Sequence, residues 1–520
     1  MGADNATLHA QQKALRRIIA SRKGCSVFAH LGLDRLGNVA DADQFITSFQ
    51  RAVSVQSLQI FLDSLGKMLP QSHLPPLQVL QSANLVVRGV PVAAVPFRNV
   101  PVPVVQADAD EHRVIERMLF SKMRQNGIPL SGGWFYITEP EFTKREITIN
   151  QQNISLSVPL QGWHMCVASG RSPWAEMLSG PRIFPRAAHM PQGGSRWQWF
   201  NALRDELAAN SRKIDVLVAH PRTLIDFCLY VSQQSGRFVG LEELVPNLKL
   251  IVLTHYDVGM PRTEISYLMA KLPHVRWVQW VYQPNGLQMW QADANIRQRL
   301  VMHTSGPTFY EFVPVAEIDA AGRFNRNHKR LHVGQIEHGQ EYVVITSTLG
   351  GLLAVNTGQI VKVLNTDPLH VMAMGPLVQL NGLGEGLRED AVLQAIGNIN
   401  GALQGHGVFI REALLGHVVA ERQPFWVVEV SRPLAEIAPG VPESMVKRLH
   451  AELELRSTAY RNAFRASTLR PPKVHIVPMG TFSATSAHID EFTQFDHSPD
   501  ASQCKKVLAG AWEVKMIEAV

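Results

Sequence analysis

The chain has 520 residues, with 46% hydrophobic and 18% charged residues, which excludes a disordered tail or a coiled coil and supplies material for a large core. At roughly 100–200 residues per domain this length favours two or more structural units. The net charge of +6 is a weak excess with no dense basic run to follow a phosphate backbone, so no nucleic-acid partner is expected.

In chain order, residues 8–70 read as helices, with apolar residues at mixed three- and four-residue spacing. Residues 76–106 are rich in valine and interrupted by proline, which suits strands and edge segments. Between 213 and 320 strand and helix alternate: strands are expected at 213–221, 247–259 and 275–286, with helices at 223–234 and 264–272 between them. That order argues for parallel β-α-β units. Ligands of such sheets bind beyond the carboxyl ends of the strands, which here carry Ala219-His220-Pro221, Thr254-His255-Tyr256-Asp257 and Tyr282-Gln283-Pro284-Asn285-Gly286. Residues 340–380 turn to β, as a hairpin or small barrel. The last stretch places helices at 388–403 and 444–467 and strands at 424–434 and 473–482. The expected fold class is therefore α/β, with a large domain of parallel sheets and a small β-rich part over 1–384, and a smaller α+β domain over 385–520.

Cys25, Cys166, Cys228 and Cys504 are far apart and form no close metal or redox pair, so reduced thiols are expected. The first residues lack the apolar segment of a secretory signal. No run approaches the ~18 apolar residues needed to span a bilayer. A cytoplasmic location away from membranes is the expectation.

Several strings carry a resemblance. Thr308-Phe309-Tyr310-Glu311-Phe312-Val313-Pro314 is similar to an aromatic-Phe-Glu-Phe-Ile-Pro string. Gly339-Gln340-Glu341-Tyr342-Val343-Val344-Ile345-Thr346 is similar to a Gly-Glu-x-Tyr-Glu-x-Val-x-Thr strand. Further on, Leu455 to Arg461 resembles an Asn-x-x-Tyr-x-x-x-Arg helix, Pro478-Met479-Gly480-Thr481-Phe482 a Gly-Thr-Phe strand end, and Gln503-Cys504-Lys505 an Asn-Gln-Tyr-Lys string. In this order, over nearly the whole chain, they resemble the auxin-responsive Gretchen Hagen 3 family of acyl-acid amido synthetases, a branch of the adenylate-forming enzymes. The resemblance implies a large domain with a C-terminal lid, and ATP and Mg2+ as cofactors. It implies a carboxylic acid converted to an acyl-adenylate, and an amine that attacks it to give an amide. Thr138, Asn285, Glu311 and Gln359 then form the nucleotide-binding set, with Glu311 also the metal candidate; a structural pair with a lysine or arginine is the alternative for Glu311. Lys505, or its neighbour Lys506, is the lid lysine.

The chain departs from the family at three places. Where a Ser-Gly-Thr-Ser/Thr-Gly phosphate loop is expected it reads Thr138-Glu139-Pro140-Glu141-Phe142-Thr143-Lys144, without glycine and with two carboxylates that repel a triphosphate. The magnesium glutamate becomes Asn285 and the ribose aspartate becomes Gln359, which gives up the charge-assisted part of a hydrogen bond. Together these changes point to a fold retained while ATP is bound differently or not at all.

Of the strand-end residues, His255 and Tyr256 are the catalytic candidates beside the acyl group, since a histidine of near-neutral pKa can deprotonate an amine; a turn satisfied by backbone is the alternative. The same holds for His220 and Asp257. Cys504 reads as a plain thiol. Trp197, Trp199, Trp277 and Trp280 either wall an acyl pocket or pack the core. Gly384 and Gly386 mark the expected hinge. The leading expectation is an amide-forming enzyme, with an ATP-independent acyltransferase or a silent binding protein on the same fold as alternatives.

Overall fold

The computed structural model describes residues 5–21, 31–57, 93–97, 100–104, 118, 121–125, 127–128, 132–137, 145–149, 152–156, 183–185, 196–219, 221–237, 239–254, 272–282, 286–291, 299–318, 324–349, 352–376, 379–380, 387–418, 421–482, 501–511 and 513–518. It divides into two compact units, one of Met1–Tyr256, Leu272–Val315 and Lys329–Ala373, the other of Asp257–Lys271, Ala316–His328 and Met374–Val520. The second unit thus takes up the chain about ten residues earlier than the glycines at 384–386 suggest.

The first unit is built on one large mixed sheet. Strands Ile183–Phe184, Gly133–Ile137, Ile214–Ala219, Leu250–Leu253 and Arg276–Tyr282 lie side by side in that order, all parallel. Ile214–Ala219 and Leu250–Leu253 are buried at every position, as unbroken apolar runs must be when both faces are covered. One face packs Trp134, Tyr136, Val218, Val252 and Trp280 together. Helices Arg196–Asn210 and Pro221–Ser235 pack on one another through Phe200 and Phe227, whose rings meet edge-on at 5.6 Å. Trp199 and Trp280 are fully buried, while Trp197 is 50% exposed and stacks on Tyr230; these tryptophans are packing residues.

Beyond Arg276–Tyr282 the sheet turns antiparallel through Gln288–Gln291, Leu300–Met302 and Leu369–Pro376, then continues with Val355–Thr366, Glu341–Ser347, Phe309–Pro314 and Leu331–His332. The β-rich 340–380 region is therefore the continuation of the main sheet, not a separate barrel. Val355–Thr366 carries two extra residues opposite Val343–Ile345, with Gly358 at φ 69° inside the bulge. Helix Asn5–Ser21 turns Leu15 and Ile18 inward. Helix Ala42–Ala52 is capped by Asp41, whose side chain accepts from the Gln44 amide at 2.7 Å. The valine and proline stretch forms a hairpin of Ala93–Phe97 and Val100–Val104.

The second unit holds a four-stranded sheet in the order Ile410–Val418, Gln423–Val430, Lys473–Val477 and Lys515–Glu518, whose central pair is parallel. Helix Glu389–Leu403 falls where expected. The single helix expected over 444–467 is two, Val441–Arg456 and Thr458–Arg465. Ser457 separates them: its backbone is extended and its hydroxyl accepts from the Tyr460 amide at 3.1 Å, so a serine that caps a new start has interrupted a helical pattern.

Candidate functional site

The parallel strands reach their carboxyl ends in line: Ile137 pairs with Ala219, Ala219 with Leu253, and Leu253 with Gln279. From Gly133–Ile137 the chain goes to the edge strand Ile183–Phe184 and then crosses to Ile214–Ala219 on the other side. The strand order reverses between Ile137 and Ala219, which is where crevices open in sheets of this kind. The opposite ends are pinned. The Gly132 amide donates to Asp215 at 2.7 Å, and a Cβ on Gly132 would stand 2.7 Å from the Lys213 carbonyl oxygen. At the carboxyl edge the Thr254 amide donates to the Ala219 carbonyl at 3.0 Å. Thr138 and His220 directly follow the two ends that flank the reversal. Thr138, His220, His255, Tyr256, Asp257 and Asn285, like Gly384 and Gly386, lie outside the described residues.

The described residues on either side of 283–285 are held in place. Tyr282 pairs with Gln288, and the Tyr310 hydroxyl donates to the Gly286 carbonyl at 3.1 Å. Gly286 has φ 92°, and a Cβ there would meet Thr348 Cγ2 at 2.4 Å, so glycine is required twice over. His303 follows strand Leu300–Met302, donates its amide to the Gln288 carbonyl at 3.1 Å, and sets its ring 5.3 Å from Trp290. Burial pushes the His303 imidazole down to about 4, so it is neutral at ordinary pH. Sequence reading passed over His303; the signal was a histidine ending the apolar run Leu300-Val301-Met302 before a Ser-Gly-Pro turn.

Glu311, expected as the metal carboxylate, is occupied. It is 0% exposed, one oxygen pairs with Arg330 Nη2 at 2.6 Å, and the other accepts from Gln50 Nε2 at 2.9 Å. A carboxylate so engaged is the counter-ion of a buried arginine and, being fully buried, is not presented to a metal ion from solvent. Among the described residues no group of three or more His, Cys, Asp or Glu side chains is arranged to hold a metal. Gln359, expected at a ribose, is buried with its amide donating to the Ile360 carbonyl at 3.0 Å.

In the second unit, Lys505 is exposed on helix Ala501–Ala509. One residue earlier Cys504 is fully buried, its Sγ 3.5 Å from the Phe425 carbonyl oxygen, the environment of an inert thiol. Phe482, ending the Gly-Thr-Phe string, donates its amide to buried Glu429 at 2.8 Å.

Residues 301–370 match the GH3 family central domain. No curated protein matches the chain. Among solved structures, AtGH3.15 acyl acid amido synthetase in complex with 2,4-DB is similar with TM-score 0.70 and 12% identity, covering 98% of this chain and 94% of that one. A second structure of GH3.15 acyl acid amido synthetase gives TM-score 0.69 at 12% identity, with 98% and 94% covered. 2-Hydroxyisobutyryl-CoA ligase in the postadenylation state, in complex with R3-HIB-AMP, gives TM-score 0.58 at 11% identity, covering 97% of this chain and 91% of that one. At such identities the likeness is one of fold. No helix among the described residues is long and apolar enough to cross a membrane. Residues 301–370 are thus similar to the GH3 family central domain, and the fold of the chain is like that of the acyl acid amido synthetase structures.

Proposed function

We propose that this protein joins a carboxylic acid, or its activated acyl form, to an amine, with amide formation at the carboxyl edge of the parallel strands. The observation that carries the reading is the in-register line of strand ends Ile137, Ala219 and Leu253 at the reversal of strand order, in a fold shared with acyl acid amido synthetases. An amine attacks an acyl carbon only as the free base. In this reading His255 or Tyr256, which follow Thr254 at that edge, takes the proton. Thr138, Asn285 and Lys505 are the further residues this reading assigns to handling the activated group.

ATP with magnesium would supply acid activation. Asn285 is neutral, Glu311 is spent on Arg330 and Gln50, and the Gln359 amide is turned to Ile360. The described residues therefore do not fit a magnesium nucleotide held in the family's manner. That disfavours adenylation and favours a second form of the proposal, transfer from a preformed acyl thioester or acyl phosphate to the amine.

Calorimetric titration of the full chain with ATP and magnesium separates the two. Saturable binding, with pyrophosphate release that needs an acid and slows in Lys505→Ala, supports adenylation. Absence of binding, with amide formed from an acyl thioester and lost in His255→Ala, supports transfer. No amide from either donor, over a panel of acids and amines, overturns both.

A further inference from the structure

A second concave site in the first unit is lined by none of the side chains assigned above. Helix Asn5–Ser21 and the turn 304–307 form a cavity of about 280 Å³, whose lining includes His9, Ala10, Lys13, Arg17, Ser305 and Gly306. The three basic residues are spaced at i, i+4 and i+8, so they stand in one column about 12 Å long at a rise of 1.5 Å per residue. All three are exposed. Arg16, the helix's other cation, faces elsewhere, donating to the Val39 carbonyl and lying 4.2 Å over the Phe45 ring.

The groove is preformed. Buried Gln11, on the opposite side of the helix, donates to the carbonyls of Thr304 at 2.6 Å and Thr308 at 3.0 Å and accepts from the Tyr310 amide at 2.8 Å. Helix and turn are therefore clamped to each other independently of any ligand.

The charge pattern is costly without an occupant. Asn5–Ser21 contains no acidic residue, and like charges at i, i+4 destabilise a helix. Neither Lys13 nor Arg17 has an ion-pair partner among the described residues, and no acid lines the cavity. A bound polyanion offsets this repulsion, and Ser305 lines the same cavity.

We propose that this groove binds a small molecule carrying two or more phosphate groups. The column is longer than a single phosphate, so full engagement needs charges spread along it. The inference is independent of the amide-forming reading. Its source is either a free diphosphate or the phosphates of a nucleotide.

Titration of the full chain at low salt, without magnesium, tests this with pyrophosphate, ATP, AMP and inorganic phosphate. Pyrophosphate should bind one to one, and inorganic phosphate and AMP about tenfold or more weaker, since each loses a charge-assisted contact. ATP tighter than pyrophosphate identifies a nucleotide; equal affinity identifies the diphosphate itself. Lys13→Glu and Arg17→Glu should each weaken pyrophosphate by about tenfold or more. Both replace a repulsive i, i+4 pair by an attractive one, so the helix is retained, as circular dichroism will report. Unchanged affinity in Lys13→Glu/Arg17→Glu, inorganic phosphate as tight as pyrophosphate, or no saturable binding of any of the four overturns the proposal.

Discussion

Arg330 is held from two sides. Its guanidinium donates to the carbonyls of Gln50, at 2.9 Å, and of Val53, and pairs with Glu311. Gln50 returns the contact by donating to Glu311 and to the Arg330 carbonyl at 3.2 Å. This network ties the end of helix Ala42–Ala52 to the strand Phe309–Pro314. Breaking a buried pair strands its partner charge, so Arg330→Ala should cost about 3–5 kcal/mol in urea unfolding. Adding Glu311→Gln removes the stranded charge, and the double variant should recover at least about 1 kcal/mol. Strictly additive losses would show that the pair does not couple. Residue types alone left Glu311 open between nucleotide chemistry and an ion pair. Its partner is 19 residues away, and only the antiparallel register that sets Glu311 opposite His332 brings Arg330 into reach.

At the scale of elements, each strand of the β-α-β region was legible because an unbroken apolar run between polar turns has few other fates. The order of those strands was not. Gly133–Ile137 pairs with Ile214–Ala219 across roughly eighty residues, and nothing in either string names the other. The reversal of strand order that locates the candidate site is thus a property of topology. The turn after Arg276–Tyr282 is held by Gly286 in a conformation and a space that exclude a side chain. Gly286→Ala should destabilise by about 1–3 kcal/mol through overpacking, with a further contribution from its positive φ. Thr348→Ser removes the methyl that the new Cβ would strike. Placed on Gly286→Ala it should restore part of the loss and leave the backbone part, measured as the change in midpoint of thermal or urea unfolding. Full restoration would mean that the positive φ costs nothing.

Five of the described histidines, spread over both units, are driven the same way by burial. His303 is pushed from 6.5 to about 4, and His332, His370, His450 and His475 are all lowered, chiefly by burial. Arg299, which donates to His370 Nδ1 at 3.0 Å, adds repulsion there. A histidine whose folded pKa lies below its unfolded one takes up protons more readily on unfolding. Stability therefore rises with pH through the window between the two values and is lost as pH falls through it. For His303 that window runs from 6.5 down to about 4, and its full contribution is roughly 3 kcal/mol, of which about 2 kcal/mol is lost by pH 5. Three of these histidines belong to the first unit and two to the second, so acid should weaken both. Urea unfolding from pH 8 to pH 5 should show stability level above about 7 and falling below it, before the carboxylates begin to titrate. His303→Gln should flatten the first unit's share of that slope, and a slope unchanged in the variant would mean that another group carries it.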